Sequence, residues 1–202
     1  MKLFFLFALL LANSLVTKAQ STTDFPVTTG HISIIKLEFT KHWAYPWYVI
    51  KHPNGKFENT LGGKIKKADT AHLYFTASCQ TNVMGGYKLR YCFANRNANG
   101  ITLKFADGAP AYENEFLVYI NKNDHSFEPK LISPALVAEN NKTYRVIKSK
   151  LNLDQQDDDK AEILSGYFDT EFTETTSAPK AKPITRKYYF RGYFKTEVKP
   201  GS

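Results

Sequence analysis

Cysteine, methionine and tryptophan are scarce in this chain, with two of each among 202 residues. The cysteines, Cys79 and Cys92, lack the CxxC spacing of a zinc or redox site. In an oxidising compartment such a pair is expected to form a disulfide. Long apolar runs are missing too. The longest, residues 3–11, is too short to span a bilayer. Helical periodicity is almost absent, and the one short helix expected lies near 134–140, where Ser133 and Pro134 read as an N-cap and first helical position.

Catalytic signatures are equally sparse. The sequence holds no GxSxG elbow, no phosphate-binding glycine loop and no HExxH. Its five histidines, His31, His42, His52, His72 and His125, show no ligand spacing with one another. Asp157, Asp158 and Asp159 are consecutive, whereas a calcium loop alternates its carboxylates around a glycine. They read as a solvated acidic turn. Glycoside cleavage needs two facing carboxylates. Glu38, Glu113, Glu115, Asp169 and Glu171 are available, but nothing selects a pair. No catalytic residue, metal or cofactor is expected.

What is present begins with an export signal. Lys2 precedes the apolar run, and Ala19 offers a small residue for cleavage before Gln20, so 1–19 reads as a signal peptide. The expected location is secreted or periplasmic. The formal charge of +8 falls to +6 without Lys2 and Lys18. The lysines are scattered along the sequence, which suits a solvated surface, with attraction to acidic polysaccharide or a membrane surface as the alternative. An exported chain without a basic helix argues against nucleic acid as a partner. Another exported protein or a polysaccharide fits better.

Residues 20–30 are polar and read as a flexible leader, and 31–200 as one all-β domain. About ten short alternating segments, separated by Gly, Asn and Pro turns, indicate an antiparallel β-sandwich, with a closed β-barrel as the alternative. Residues 31–40 make the first clear strand. Gly85 and Gly86 read as a two-residue hairpin turn, which would set Cys79 opposite Cys92 at a non-hydrogen-bonded position. The apolar parity conflicts with that register. Ala77 shares a face with Cys79, but Leu89, Tyr91 and Phe93 oppose the face of Cys92 unless a bulge intervenes.

The clearest architectural feature is a repeated phrase. GYFDTEF at 166–172 returns as GYFKTEV at 192–198. A proline-containing loop separates the copies, so the simplest arrangement is an antiparallel ribbon centred on Lys180. Phe168 then faces Gly192, and Phe194 faces Gly166, each ring covering bare glycine backbone. Asp169 faces Arg191, and Tyr167 faces Tyr193 on the outer side.

Two places stand out for binding. Trp43, Tyr45, Trp47 and Tyr48 form an aromatic stretch suited to sugar rings or a protein partner, although plugging one end of the core is the commoner role for rings such as Trp43 and Trp47. Tyr167 and Tyr193 join them if their face is open. The leading functional expectation is an exported, non-catalytic β-domain that binds a polysaccharide, a protein or an apolar ligand. A secreted hydrolase acting on carbohydrate or peptide is the alternative from another class, and a structural envelope protein is the third.

Overall fold

A computed structural model describes residues 23–42, 49–51, 54, 56–60, 62–63, 65, 74–106, 114–131, 141–154, 163–177 and 181–200. The expected signal peptide, the aromatic stretch 43–48, the acidic turn 157–159 and the helix near 134–140 lie outside these residues.

The fold is all-β. Its strands are β1 (Phe25–Thr29), β2 (Val49–Lys51), β3 (Phe57–Asn59), β4 (Ala77–Thr81), β5 (Tyr87–Leu89), β6 (Tyr91–Asn97), β7 (Gly100–Ala106), β8 (Glu115–Asn121), β9 (Asp124–Lys130), β10 (Asn141–Leu153), β11 (Ile163–Ser177) and β12 (Ile184–Pro200). Ten of them form one sheet in the order β11-β10-β1-β9-β8-β7-β6-β12-β4-β5. Because β11 also pairs with β12, the sheet returns on itself as a ring, with the β4–β5 hairpin attached outside the circuit. It is not a clean barrel. Two junctions, β1–β10 and β12–β6, are parallel, and the other pairings are antiparallel.

Phenylalanine fills the interior. Phe105, Phe116 and Phe127, from β7, β8 and β9, meet Phe168 and Phe172 of β11 and Phe190 and Phe194 of β12, and all seven are buried. Phe116 stacks on Phe190 with centroids 4.5 Å apart, and Phe105 meets Phe194 edge-on at 5.6 Å. Each such side chain contributes about 1.5–3 kcal/mol by leaving water, so this cluster is what holds the two sides of the ring together.

The ribbon of β11 and β12 has the register read from the repeat. Phe168 pairs with Gly192, Gly166 with Phe194, Asp169 with Arg191 and Tyr167 with Tyr193. The packing of the two glycines differs in kind. A Cβ on Gly166 would lie 2.6 Å from Cζ of Phe194, as cross-strand covering requires. A Cβ on Gly192 would instead meet the backbone of β4, 2.2 Å from the Ser78 oxygen and 2.4 Å from Cα of Cys79.

The disulfide between Cys79 and Cys92 does not form, and both cysteines are free and buried. The turn is longer than two residues. A short 3-10 helix, Val83–Gly85, occupies it, and Cys79 therefore pairs with Leu89. The chain then changes partner at Arg90, whose carbonyl accepts from both Thr76 N (3.0 Å) and Ala77 N (2.9 Å). Beyond it β6 starts afresh, and Cys92 pairs with Phe105 of β7. This break resolves the parity conflict. Leu89 faces inward before it, Cys92 and Ala94 after it.

Two further segments differ from their expected forms. Residues 34–41 are a 3-10 helix, Ile34–Lys41, not a strand. Leu37 alone is buried there, Thr40 Oγ1 donates to the Leu37 carbonyl at 2.8 Å, and Lys41 meets Glu38 at 3.6 Å. The stretch 20–30, read as a flexible leader, supplies β1, which pairs with β9 on one side and β10 on the other. No helix among the described residues is long and apolar enough to cross a membrane.

Candidate binding surface

The outer face of β12 is built by strand alternation. Its even residues Phe190, Phe194 and Thr196 point into the core, so the odd residues point out. The outward row reads Lys187, Tyr189, Arg191, Tyr193, Lys195, Glu197, Lys199. At the usual strand rise it is roughly 40 Å long.

Tyr193 is the centre of this row. Tyr167 of β11 lies beside it with centroids 4.8 Å apart. The ammonium of Lys36, from the 3-10 helix Ile34–Lys41, stands 5.9 Å above its ring. Both tyrosines are half-buried, so each presents one side to solvent. The Arg191 guanidinium covers the Tyr189 ring at 4.4 Å and meets Asp169 at 3.5 Å. Glu171 lies between Lys148 (2.7 Å) and Lys187 (2.6 Å), and its bonds to these two ammonium groups pull its carboxyl down to about 2.

The row ends in a cleft. β12 pairs with β4 over Phe190–Phe194 and then with β6 from Val198. Between these pairings the sheet forks. Thr76, just before β4, ties the fork together, since its Oγ1 accepts from Cys92 N at 2.7 Å and lies 2.9 Å from the Cys92 carbonyl. The resulting open cleft, about 470 Å³, is lined by Tyr74, Tyr91, Phe93, Lys104, Glu197 and Lys199 among others. Tyr91 and Phe93 stack at 6.5 Å, and Lys104 sits 5.9 Å from the Phe93 centroid while bonding Glu115 at 3.0 Å.

Of the residues expected to bind, Tyr167 and Tyr193 are brought together here. Trp43, Tyr45, Trp47 and Tyr48 lie outside the described residues. His42, which precedes them, accepts from Phe75 N at 3.0 Å, next to Tyr74 at the cleft. Sequence reading passed over Tyr74, Tyr91 and Phe93. The outward orientation of Tyr91 and Phe93 depends on the change of parity at Arg90, and the conflict it leaves in the apolar pattern was the available signal.

Of the carboxylates considered for hydrolysis, Asp169 and Glu171 share the outer face of β11 two residues apart, each bonded to cations, while Glu38 and Glu115 stand elsewhere with Lys41 and Lys104, and Glu113 lies outside the described residues. One histidine has a hydroxyl neighbour. His125 Nε2 lies 2.9 Å from Ser149 Oγ. The ring is 1% exposed, packed against Phe25 and Phe168, and burial pushes it down to about 4. A polar cleft of about 400 Å³ adjoins His125, but Ser149 does not line it. This pair fastens β9 to β10. Among the described residues, no group of three or more His, Cys, Asp or Glu side chains is placed to hold a metal ion.

No family model, no curated protein and no solved structure matches this chain.

Proposed function

We propose that the protein is an exported, non-catalytic binding domain whose ligand is an extended polysaccharide lying along β12. The observation that carries this reading is the outward row of β12. It sets tyrosine rings and long polar side chains in line and leads into an aromatic cleft. Ring faces with polar edges suit pyranose rings, and a few fixed polar groups supply orientation. A linear track matches a chain polymer better than a compact small molecule. The seven packed phenylalanines weigh against an apolar ligand inside the ring. The engagement of Asp169, Glu171, Glu115 and Glu38 with cations supports binding over hydrolysis.

A protein partner is the second reading. Ile34 and Ile35, 77% and 71% exposed, stand on the 3-10 helix that flanks Tyr193. A glycan and peptide array probed with the purified protein separates the two. A glycan hit is expected, with Tyr193→Ala and Phe93→Ala each weakening it about fivefold to tenfold. Binding to peptides alone, abolished by Ile34→Ser and Ile35→Ser, would replace the polysaccharide with a protein.

A further inference from the structure

Seven of the cations scattered along the sequence share one face of the fold. β10 contributes Arg145, Lys148 and Lys150 at outward positions, opposite Thr173, Glu171 and Asp169 of β11. β12 adds Lys187, Arg191, Lys195 and Lys199, one at every fourth residue and so roughly 13–14 Å apart. Three carboxylates share the face, Asp169, Glu171 and Glu197. The first two are engaged by Arg191, Lys148 and Lys187. Arg145, Lys150, Lys195 and Lys199 have no ion pair among the described residues, and they are exposed. Seven cations against three carboxylates leave the face strongly positive, and its free cations flank the tyrosine row.

We propose that the polymer bound along β12 is anionic, a polysaccharide of acidic sugars with its carboxylates or sulfates over Lys195 and Lys199 and its rings against Tyr193. This rests on the binding reading above and adds the ligand's charge class. Charge complementarity selects the class, because a neutral glycan would leave four exposed cations unused while an acidic one would engage them. Threonine hydroxyls at 173, 175 and 185 border the row; Thr173 donates to the Arg145 carbonyl and Thr175 and Thr185 bond each other, which leaves oxygen lone pairs to accept from sugar hydroxyls. An anionic bilayer is the competing polyanion, since Ile34 and Ile35 stand exposed beside the row, but the row itself sets tyrosine rings between its cations, which suits sugar rings. The export signal favours polysaccharide over single-stranded nucleic acid, which would also use rings and cations.

Calorimetry with the purified protein tests this against four probes: polygalacturonate, dextran, single-stranded DNA, and vesicles of anionic phospholipid. Polygalacturonate is expected to bind most tightly. Its affinity should fall about tenfold between about 50 and about 200 mM salt if two or three cations are engaged. Lys195→Gln with Lys199→Gln should weaken binding and flatten that salt dependence without changing the melting temperature. If dextran binds as well as polygalacturonate and salt has no effect, the anionic class fails while the binding reading stands. If neither polysaccharide binds, both fail. Tighter binding to DNA or to vesicles would overturn the assignment in favour of that polyanion.

Discussion

Single residues decide how closely the strands of this sheet approach. Gly166 and Gly192 occupy equivalent places in the repeated phrase, yet their surroundings differ. The atoms nearest a Cβ on Gly166 belong to the rim of the Phe194 ring, with the Asn152 carbonyl at 2.8 Å. A Cβ on Gly192 would drive into the Ser78 carbonyl and the Cys79 Cα, and its φ of +154° is one that side-chain-bearing residues rarely adopt. A ring can tilt, whereas the backbone of a paired strand moves only with its neighbours. Gly192→Ala should therefore cost more than about 2 kcal/mol and detach β4 from β12. Gly166→Ala should cost measurably less. Urea unfolding of the two variants checks the order, and equal losses would show that β4 yields as easily as the ring does.

At the scale of elements, the legible parts of the sequence were those that explain themselves locally. The β11–β12 pairing was readable because each copy of the phrase supplies the ring that the other's glycine needs. A slip of one residue would also turn Phe168 to the wrong face. The β4–β5 hairpin was misread for an equally local reason. Two glycines suggested a two-residue turn, but a 3-10 turn at Val83–Gly85 shifted the register, and Arg90 handed the chain to another part of the ring. Strand β9 had no counterpart in the sequence reading, and it holds a proline, Pro129, a residue that strands disfavour away from an edge. It is tolerated where it stands, since β1 pairs only with Asp124 and His125 and leaves the outer edge of β9 near Pro129 without a described neighbour. The misread hairpin has a chemical consequence. Cys79 and Cys92 lie in the apolar core, and burial raises both thiols above their ordinary range, so little thiolate is available. A thiol reagent should find neither cysteine in native protein and both after denaturation. Denatured, unreduced protein with no titratable thiol would mean that the pair is oxidised after all.

At the scale of the whole molecule, the ring depends on a narrow closure. β1 has five residues, and among the described residues it alone continues the sheet from β9 to β10. The sequence could not show this, because a parallel pairing between residues more than a hundred positions apart leaves no local pattern. His125 reinforces the closure. It pairs with Phe25 of β1 and reaches Ser149 of β10 through Nε2. Burial holds the imidazole at about 4, partly opposed by the carboxylates of Asp24 and Asp124, which favour its charged form. The unfolded chain takes up this proton near pH 6.5, and the folded chain resists until about pH 4. Between those values the unfolded state binds more protons, so stability declines as pH falls, by roughly 3 kcal/mol in all. Glu171 acts in a different window. Its carboxyl is depressed to about 2, so its contribution is complete above the ordinary glutamate value and disappears only as pH falls towards 2. Urea midpoints at pH 7, 5.5 and 4 should therefore fall in the wild-type chain. In His125→Gln, whose amide can still reach Ser149, stability at pH 7 should be lower but nearly level across the same range. If the variant keeps the wild-type slope, His125 is not what couples the ring closure to protons, and the acid sensitivity belongs to another group.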